Sequence, residues 1–113
     1  MLYNLSVIES MGIRDASFLQ SMVNLYIRSI PQELEDLNKA YELRDSNKIS
    51  FAAHKLKQTI NSLSIVSLQD LIPLFENGKI KNNLQDTELK DSLETINQVL
   101  VKVVTQMKTT VSN

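Results

Sequence analysis

The chain is expected to fold as an all-α four-helix bundle, up-down and antiparallel, with a short additional helix at its N-terminus. Only two glycines and two prolines occur in 113 residues, so few positions break a helix. Apolar residues recur at three- and four-residue steps, the spacing of one helix face, and this continues through several stretches. Alternation with period two, the mark of a half-buried strand, is nowhere sustained.

The elements follow in order along the chain. Leu5 to Met11 make a short amphipathic opening, and Gly12 marks a break. Asp15 offers an N-cap for a helix using Phe18, Met22, Leu25 or Tyr26, and Ile30. Pro31 then interrupts the pattern. It suits either the first turn of a new helix, where its missing N–H has no partner anyway, or a kink in one long helix. Leu34, Leu37 and Tyr41 continue to about Arg44. Asp45-Ser46-Asn47 is a polar turn rich in capping residues, and a helix over residues 47–63 follows it. Its Ile49, Ala52, Leu56, Ile60 and Leu63 fall on one side, and Ser64 or a neighbour ends it. Ser67 can cap the next segment, Leu68 to Asn77, in which Leu71, Ile72 and Phe75 are apolar and Pro73 should impose a kink. Asn77-Gly78-Lys79 is a stop signal. The last helix runs from about Thr87 to Lys108, with Leu89, Leu93, Ile96, Leu100, Val103 or Val104, and Met107 as its core stripe.

A chain of this length fits a single domain over residues 1–113, too small for a catalytic domain plus a separate nucleotide-binding one. The net charge of −1 and the absence of a basic run give no electrostatic footprint for nucleic acid. With no cysteine there is neither a disulfide framework nor a thiolate metal site, which agrees with a reducing compartment. The N-terminal residues lack a charged segment followed by an apolar one, and no apolar run approaches the ~20 residues of a membrane span. A cytoplasmic protein without membrane insertion is expected.

His54 is the only histidine, and the periodicity of its helix turns it outward, opposite Ile49, Ala52, Leu56, Ile60 and Leu63. Asn47, Ser50, Lys57, Gln58 and Asn61 share its side. Hydrolysis by serine and histidine would need a positioned acid and an oxyanion hole, and neither is visible around this residue. No Asp, Glu or Cys stands at i+3 or i+4 to build a metal site, and no glycine-rich phosphate loop is present, so neither a metal nor ATP is assigned to this chain. A phosphoryl group on the imidazole makes fewer demands. A neutral ring is nucleophilic near pH 7 and needs exposure and a nearby cation. Lys57, at i+3, supplies that cation. Gln58, at i+4, is either a hydrogen-bond donor to the ring or phosphoryl group or an ordinary surface glutamine.

Ala53-His54-Lys55-Leu56-Lys57 resembles the A-H-x-[LIM]-K motif of the histidine-containing phosphotransfer (HPt) domains of multistep two-component relays. Leu25-Tyr26-Ile27-Arg28-Ser29-Ile30-Pro31, Leu34, Leu37, Ala40 and Asp45 before the motif support the likeness, as do Leu68, Leu71 and Phe75-Glu76 after it. The resemblance implies a four-helix bundle with an additional short helix, a phosphorylatable His54 and a phosphoryl-stabilising Lys57. It also implies a phosphocarrier without its own kinase or cofactor, expected as a monomer, whose partners are receiver domains of hybrid kinases and response regulators. Those partners would bring the aspartate and the divalent metal. Gln58 departs from the family, where glycine commonly follows the motif lysine, and Ser64 stands where glycine is common at the helix end.

Phe51, about 60° from His54 on the wheel, either joins a docking surface or tucks between helices as core. Lys55 and Asn61 are further docking candidates. Two other readings compete. His54-Lys55-Leu56-Lys57-Gln58-Thr59-Ile60 also resembles the H-box of a histidine-kinase dimerisation helix, although the acid after the histidine and the proline of that motif are missing. A helical adaptor in which His54 is incidental is the other.

Overall fold

The computed structural model describes Tyr3, residues 16–76 and residues 87–112. Helix α1 spans Ala16–Glu42, α2 Ser46–Ser62, α3 Val66–Gln69, a 3₁₀ turn Ile72–Phe75, and α4 Thr87–Ser112. The fold is all-α, with no strand among the described residues. α1 packs against both α2 and α4, and the 3₁₀ turn packs on α2 and α4 to close the fourth side. Pairings across the helices run in opposite directions along the chain: Glu33 meets Thr59 while the later Ala40 lies near the earlier Ala52, and Asn38 meets Asn97 while the earlier Ile30 and Leu34 lie near the later Val104 and Lys108, so neighbouring long helices are antiparallel. The expected helix over Leu5 to Met11, the Gly12 break, the Asp15 cap and the Asn77-Gly78-Lys79 stop lie outside the described residues.

α1 runs 27 residues straight through Pro31, which decides between the two readings of that proline. Pro31 is solvent-exposed, so the backbone groups it leaves unpaired can be hydrated. The α1 stripe agrees with the expected one from Met22 onward, with Tyr26 and not Leu25 on the core side, and departs from it at Phe18. Val23, Ile30, Leu34, Leu37 and Ala40 are buried, with Leu19, Met22, Tyr26, Ile27 and Tyr41 packed at the edge, whereas Phe18 and Leu25 remain 39% and 47% exposed. In α2 and α4 the stripes agree with expectation: Ile49, Ala52, Leu56, Ile60 and Leu63 are buried, as are Leu89, Leu93, Ile96, Leu100, Val103, Val104 and Met107.

The connection from α1 to α2 is three residues, each with a backbone task. Arg44 takes a left-handed conformation (φ 54°), its N–H donates to the Tyr41 carbonyl at 3.1 Å and that of Asp45 to Ala40 at 3.3 Å. These are the paired bonds of a Schellman C-cap. Asp45 then serves as N-cap of α2, its Oδ1 accepting from the N–H groups of Asn47 (3.1 Å) and Lys48 (3.2 Å). The same C-terminal motif closes α2: Ser64 is left-handed (φ 52°), the Ser64 N–H donates to Asn61 (3.2 Å) and the Ile65 N–H to Ile60 (2.9 Å).

The segment after α2 differs from the expected single helix with a Ser67 cap. α3 starts two residues earlier, at Val66, with Ile65 at the N-cap and no side-chain cap, and ends at Gln69. Pro73 has no N–H for an i−4 bond, and the chain continues with i−3 bonds, Leu74 N–H to the Leu71 carbonyl and Glu76 N–H to Pro73, both 3.1 Å. Three residues per turn place Ile72 and Phe75 on one side, and both are buried.

Polar contacts also join the helices. Asn38 and Asn97 donate to each other at 2.8 and 3.0 Å across α1 and α4. The Thr59 hydroxyl donates to the Glu33 carboxylate at 3.0–3.1 Å across α1 and α2. Burial pushes the Glu33 carboxyl above its ordinary range, opposed by the Thr59 hydrogen bond and the charge of Lys55.

A left-handed serine is strained relative to glycine, so Ser64→Gly should stabilise the fold by about 1 kcal/mol, read from the urea midpoint; an unchanged or lower midpoint would contradict strain at this position. Glu33 holds its proton more tightly folded than unfolded. Its contribution is therefore fully present below the ordinary glutamate range and is lost as pH rises through its folded value. Glu33→Gln removes that loss, so the stability of the variant relative to wild type should grow as pH rises from about 4. A difference independent of pH would show that Glu33 titrates alike in both states.

Candidate functional site

α2 is anchored from beneath by Ala53 and Leu56, both fully buried, so the next residue outward from that floor, His54, is presented to solvent with 63% of its side chain exposed. Opposite it stands Glu76, which follows the 3₁₀ turn and is held by the fully buried Phe75 beside it. The Glu76 side chain is only 12% exposed. Its Oε1 lies 3.8 Å from His54 Nδ1, and its Oε2 lies 3.5 Å from Lys57 Nζ. One carboxylate thus faces both functional groups of α2.

Oε1 is buried without a hydrogen-bond partner among the described residues. Leaving a buried acceptor unsatisfied costs about 1–3 kcal/mol, so a small rotation of the exposed ring that brings an Nδ1–H within bonding distance is favoured. A proton held at Nδ1 makes Nε2 the unprotonated, nucleophilic nitrogen. Lys57 supplies positive charge one turn along the same face, close enough to neutralise a carboxylate or an arriving anion.

The other expected site residues sit on the surface of α2. Phe51 is 66% exposed, which places it on the surface and not between helices, and Lys55 Nζ lies 4.8 Å above its ring. Phe51, His54 and Glu76 line one groove together with Asn47 and Ser50. Gln58 and Asn61 are exposed but lie outside this groove. Glu76 was not singled out as a site residue by the sequence, where it stands 22 positions from His54. Its only signal there was membership of the Phe75-Glu76 pair. Among the described residues no three His, Asp or Glu side chains cluster as a metal site, and no helix is long and apolar enough to cross a membrane.

Nitrogen NMR of the His54 ring should show Nδ1–H as the main neutral tautomer, and Glu76→Ala should shift the population towards Nε2–H. An identical tautomer ratio in the two proteins would remove Glu76 from any part in orienting the ring.

The family model of the Hpt domain matches residues 21–106, most of the chain and all of α2. No curated protein and no solved structure matches it. Hpt domains act in histidine phosphotransfer within two-component systems, as phosphocarrier modules without kinase activity that interact with receiver domains. With that match over the exposed histidine and the helices that carry it, the chain belongs to the Hpt domain family.

Proposed function

We propose that His54 is the phosphoacceptor of a relay, taking a phosphoryl group from a receiver-domain aspartate and passing it to a second receiver. The observation that carries this reading is the exposed His54 ring with Nδ1 towards a buried carboxylate that Lys57 also approaches. Nε2 attacks the phosphorus of the aspartyl phosphate. The N–P bond forms as the acyl P–O bond breaks, and the bonding pair returns to the aspartate as carboxylate. The ring becomes cationic with its proton at Nδ1, where Glu76 stabilises it; reversal regenerates the neutral ring. Lys57 faces the incoming phosphoryl oxygens and offsets their charge. The aspartate and the divalent metal belong to the receiver, and this chain supplies the nucleophile, its orientation and one cation.

Gln58, in place of the common glycine, is exposed one turn along α2 from His54 and bears on which receivers approach. The dimerisation-helix alternative has less support, because α4 of the same chain packs along α1, where a two-helix hairpin would take a second copy. A monomeric carrier in the cytoplasm is the corresponding proposal for its state and location.

Radiolabelled phosphoryl transfer from a panel of phosphorylated receiver domains should give acid-labile, base-stable label on wild type and none on His54→Gln. The variant should keep its stability within about 0.5 kcal/mol, because the side chain is solvated. Lys57→Ala should accept label at least about tenfold more slowly if its charge is worth a charge-assisted contact of roughly 1.5 kcal/mol. No label from any receiver on the folded protein would favour a helical adaptor, and equal rates for Lys57→Ala would end that residue's assigned role.

A further inference from the structure

Glu76 is a single carboxylate with two neighbours to serve. In the free chain its Oε2 lies 3.5 Å from Lys57 Nζ, while its Oε1 is buried, lacks a hydrogen-bond partner among the described residues and stands 3.8 Å from His54 Nδ1. A neutral ring offers Oε1 one N–H. A ring phosphorylated at Nε2 differs, because it keeps the Nδ1 proton only as an imidazolium, and the phosphoryl charge draws Lys57 away from Oε2. The full charge of the carboxylate is then left to the ring. The other described residues that line the groove, Asn47, Ser50 and Phe51, are uncharged, and α1, α3 and α4 contribute no described residue to that lining. The nearby charges are engaged elsewhere: Lys55 lies over the Phe51 ring at 4.8 Å, Asp45 caps α2, and Glu33 accepts from Thr59.

The Nδ1 proton decides how readily the phosphoryl group leaves. When a receiver's aspartate oxygen attacks phosphorus, the N–P bond breaks and its electron pair returns to Nε2. With Nδ1 protonated, the departing ring is neutral imidazole, and no further proton is required. Without that proton the ring would depart as imidazolate, a far more basic anion, and the N–P bond holds.

We infer that Glu76 sets the alkaline limit of discharge: by holding the Nδ1 proton of phosphorylated His54, it keeps the phosphoryl group transferable above neutral pH. The inference rests on the phosphoacceptor reading of His54. Glu76 is a positioning residue in this scheme, acting through the ring and touching neither phosphorus nor receiver. The same hold on the proton favours attack by water, so a carrier that discharges over a wider pH range is also shorter-lived when no receiver is present.

The test uses the full chain, phosphorylated with phosphoramidate so that loading needs no receiver, then mixed with excess unphosphorylated receiver and Mg²⁺ from about pH 6 to about pH 9. Discharge of wild type should fall along an alkaline limb. Glu76→Gln, which keeps the shape and removes the charge, should move that limb about one pH unit lower, the order of a charge-assisted hydrogen bond. At a pH on the limb the variant then discharges about tenfold more slowly, while near pH 6, where both rings carry the proton, the two rates should agree within about twofold. Nitrogen NMR of the phosphorylated ring should show Nδ1 losing its proton about one pH unit lower in Glu76→Gln, a readout that a role confined to holding the turn in place would not move. Alkaline limbs at the same pH in both proteins, or an unmoved Nδ1 titration, overturn the role of Glu76 while leaving the relay reading intact. Failure of phosphoramidate and of every receiver to label His54 overturns both.

Discussion

Asp45 is the joint on which the bundle depends. Its N–H completes the C-terminal cap of α1, and its carboxylate caps the first turn of α2, so two helices are terminated and begun within three residues. Orphan backbone groups at both ends are satisfied locally, and the short connection leaves α2 no choice but to return along α1. That return fixes the register in which Thr59 reaches Glu33 and Ala52 lies over Ala40. It also sets the height of His54 above the core. A longer connection with the same apolar stripes would still bury them, but it would not hold one register so firmly.

The site divides its labour between a rigid helix and a rigid turn. α2 supplies the histidine and the lysine from successive turns of one face, a spacing that the helix itself guarantees. The carboxylate comes from a different element, placed by the burial of Ile72 and Phe75 and by a proline that forbids a regular helix there. A carboxylate on α2 itself would be hydrated and would compete for the phosphoryl approach. Set into the side of the bundle at 12% exposure, Glu76 addresses the ring from behind and leaves its outer nitrogen open. For the proposed carrier, whose partners would bring the activated phosphoryl group, these two elements suffice.

Most of the architecture was legible because helix periodicity is a local property. The α4 stripe and the buried face of α2 could be read residue by residue, and the outward position of His54 followed from them. The capping role of Asp45 was visible in its residue type and place. The α1 stripe was harder: apolar residues lie on nearly every side of its first half, and which of them are buried depends on neighbours that come later in the chain. Phe18 therefore looked like core and is exposed, and the choice between Leu25 and Tyr26 stayed open until the neighbours took Tyr26. The split of the segment after α2 was signalled by Pro73, but the change to i−3 bonding was not. Glu76 could not be found as a functional group from spacing, since its 3.8 Å approach to His54 exists only once the turn has packed.

The reciprocal amide pair of Asn38 and Asn97 works as a ruler between α1 and α4. Apolar stripes tolerate sliding: moving one helix by a turn, about 5.4 Å, sets leucine against valine much as before. The two carboxamides resist it, because each would lose its reciprocal partner while half-buried, at about 1 kcal/mol per hydrogen bond. A pair of uncharged side chains half-buried between the helices thereby gives α4 one depth of insertion. Since the 3₁₀ turn is wedged between α2 and α4, that depth is passed on to the carboxylate beside the histidine.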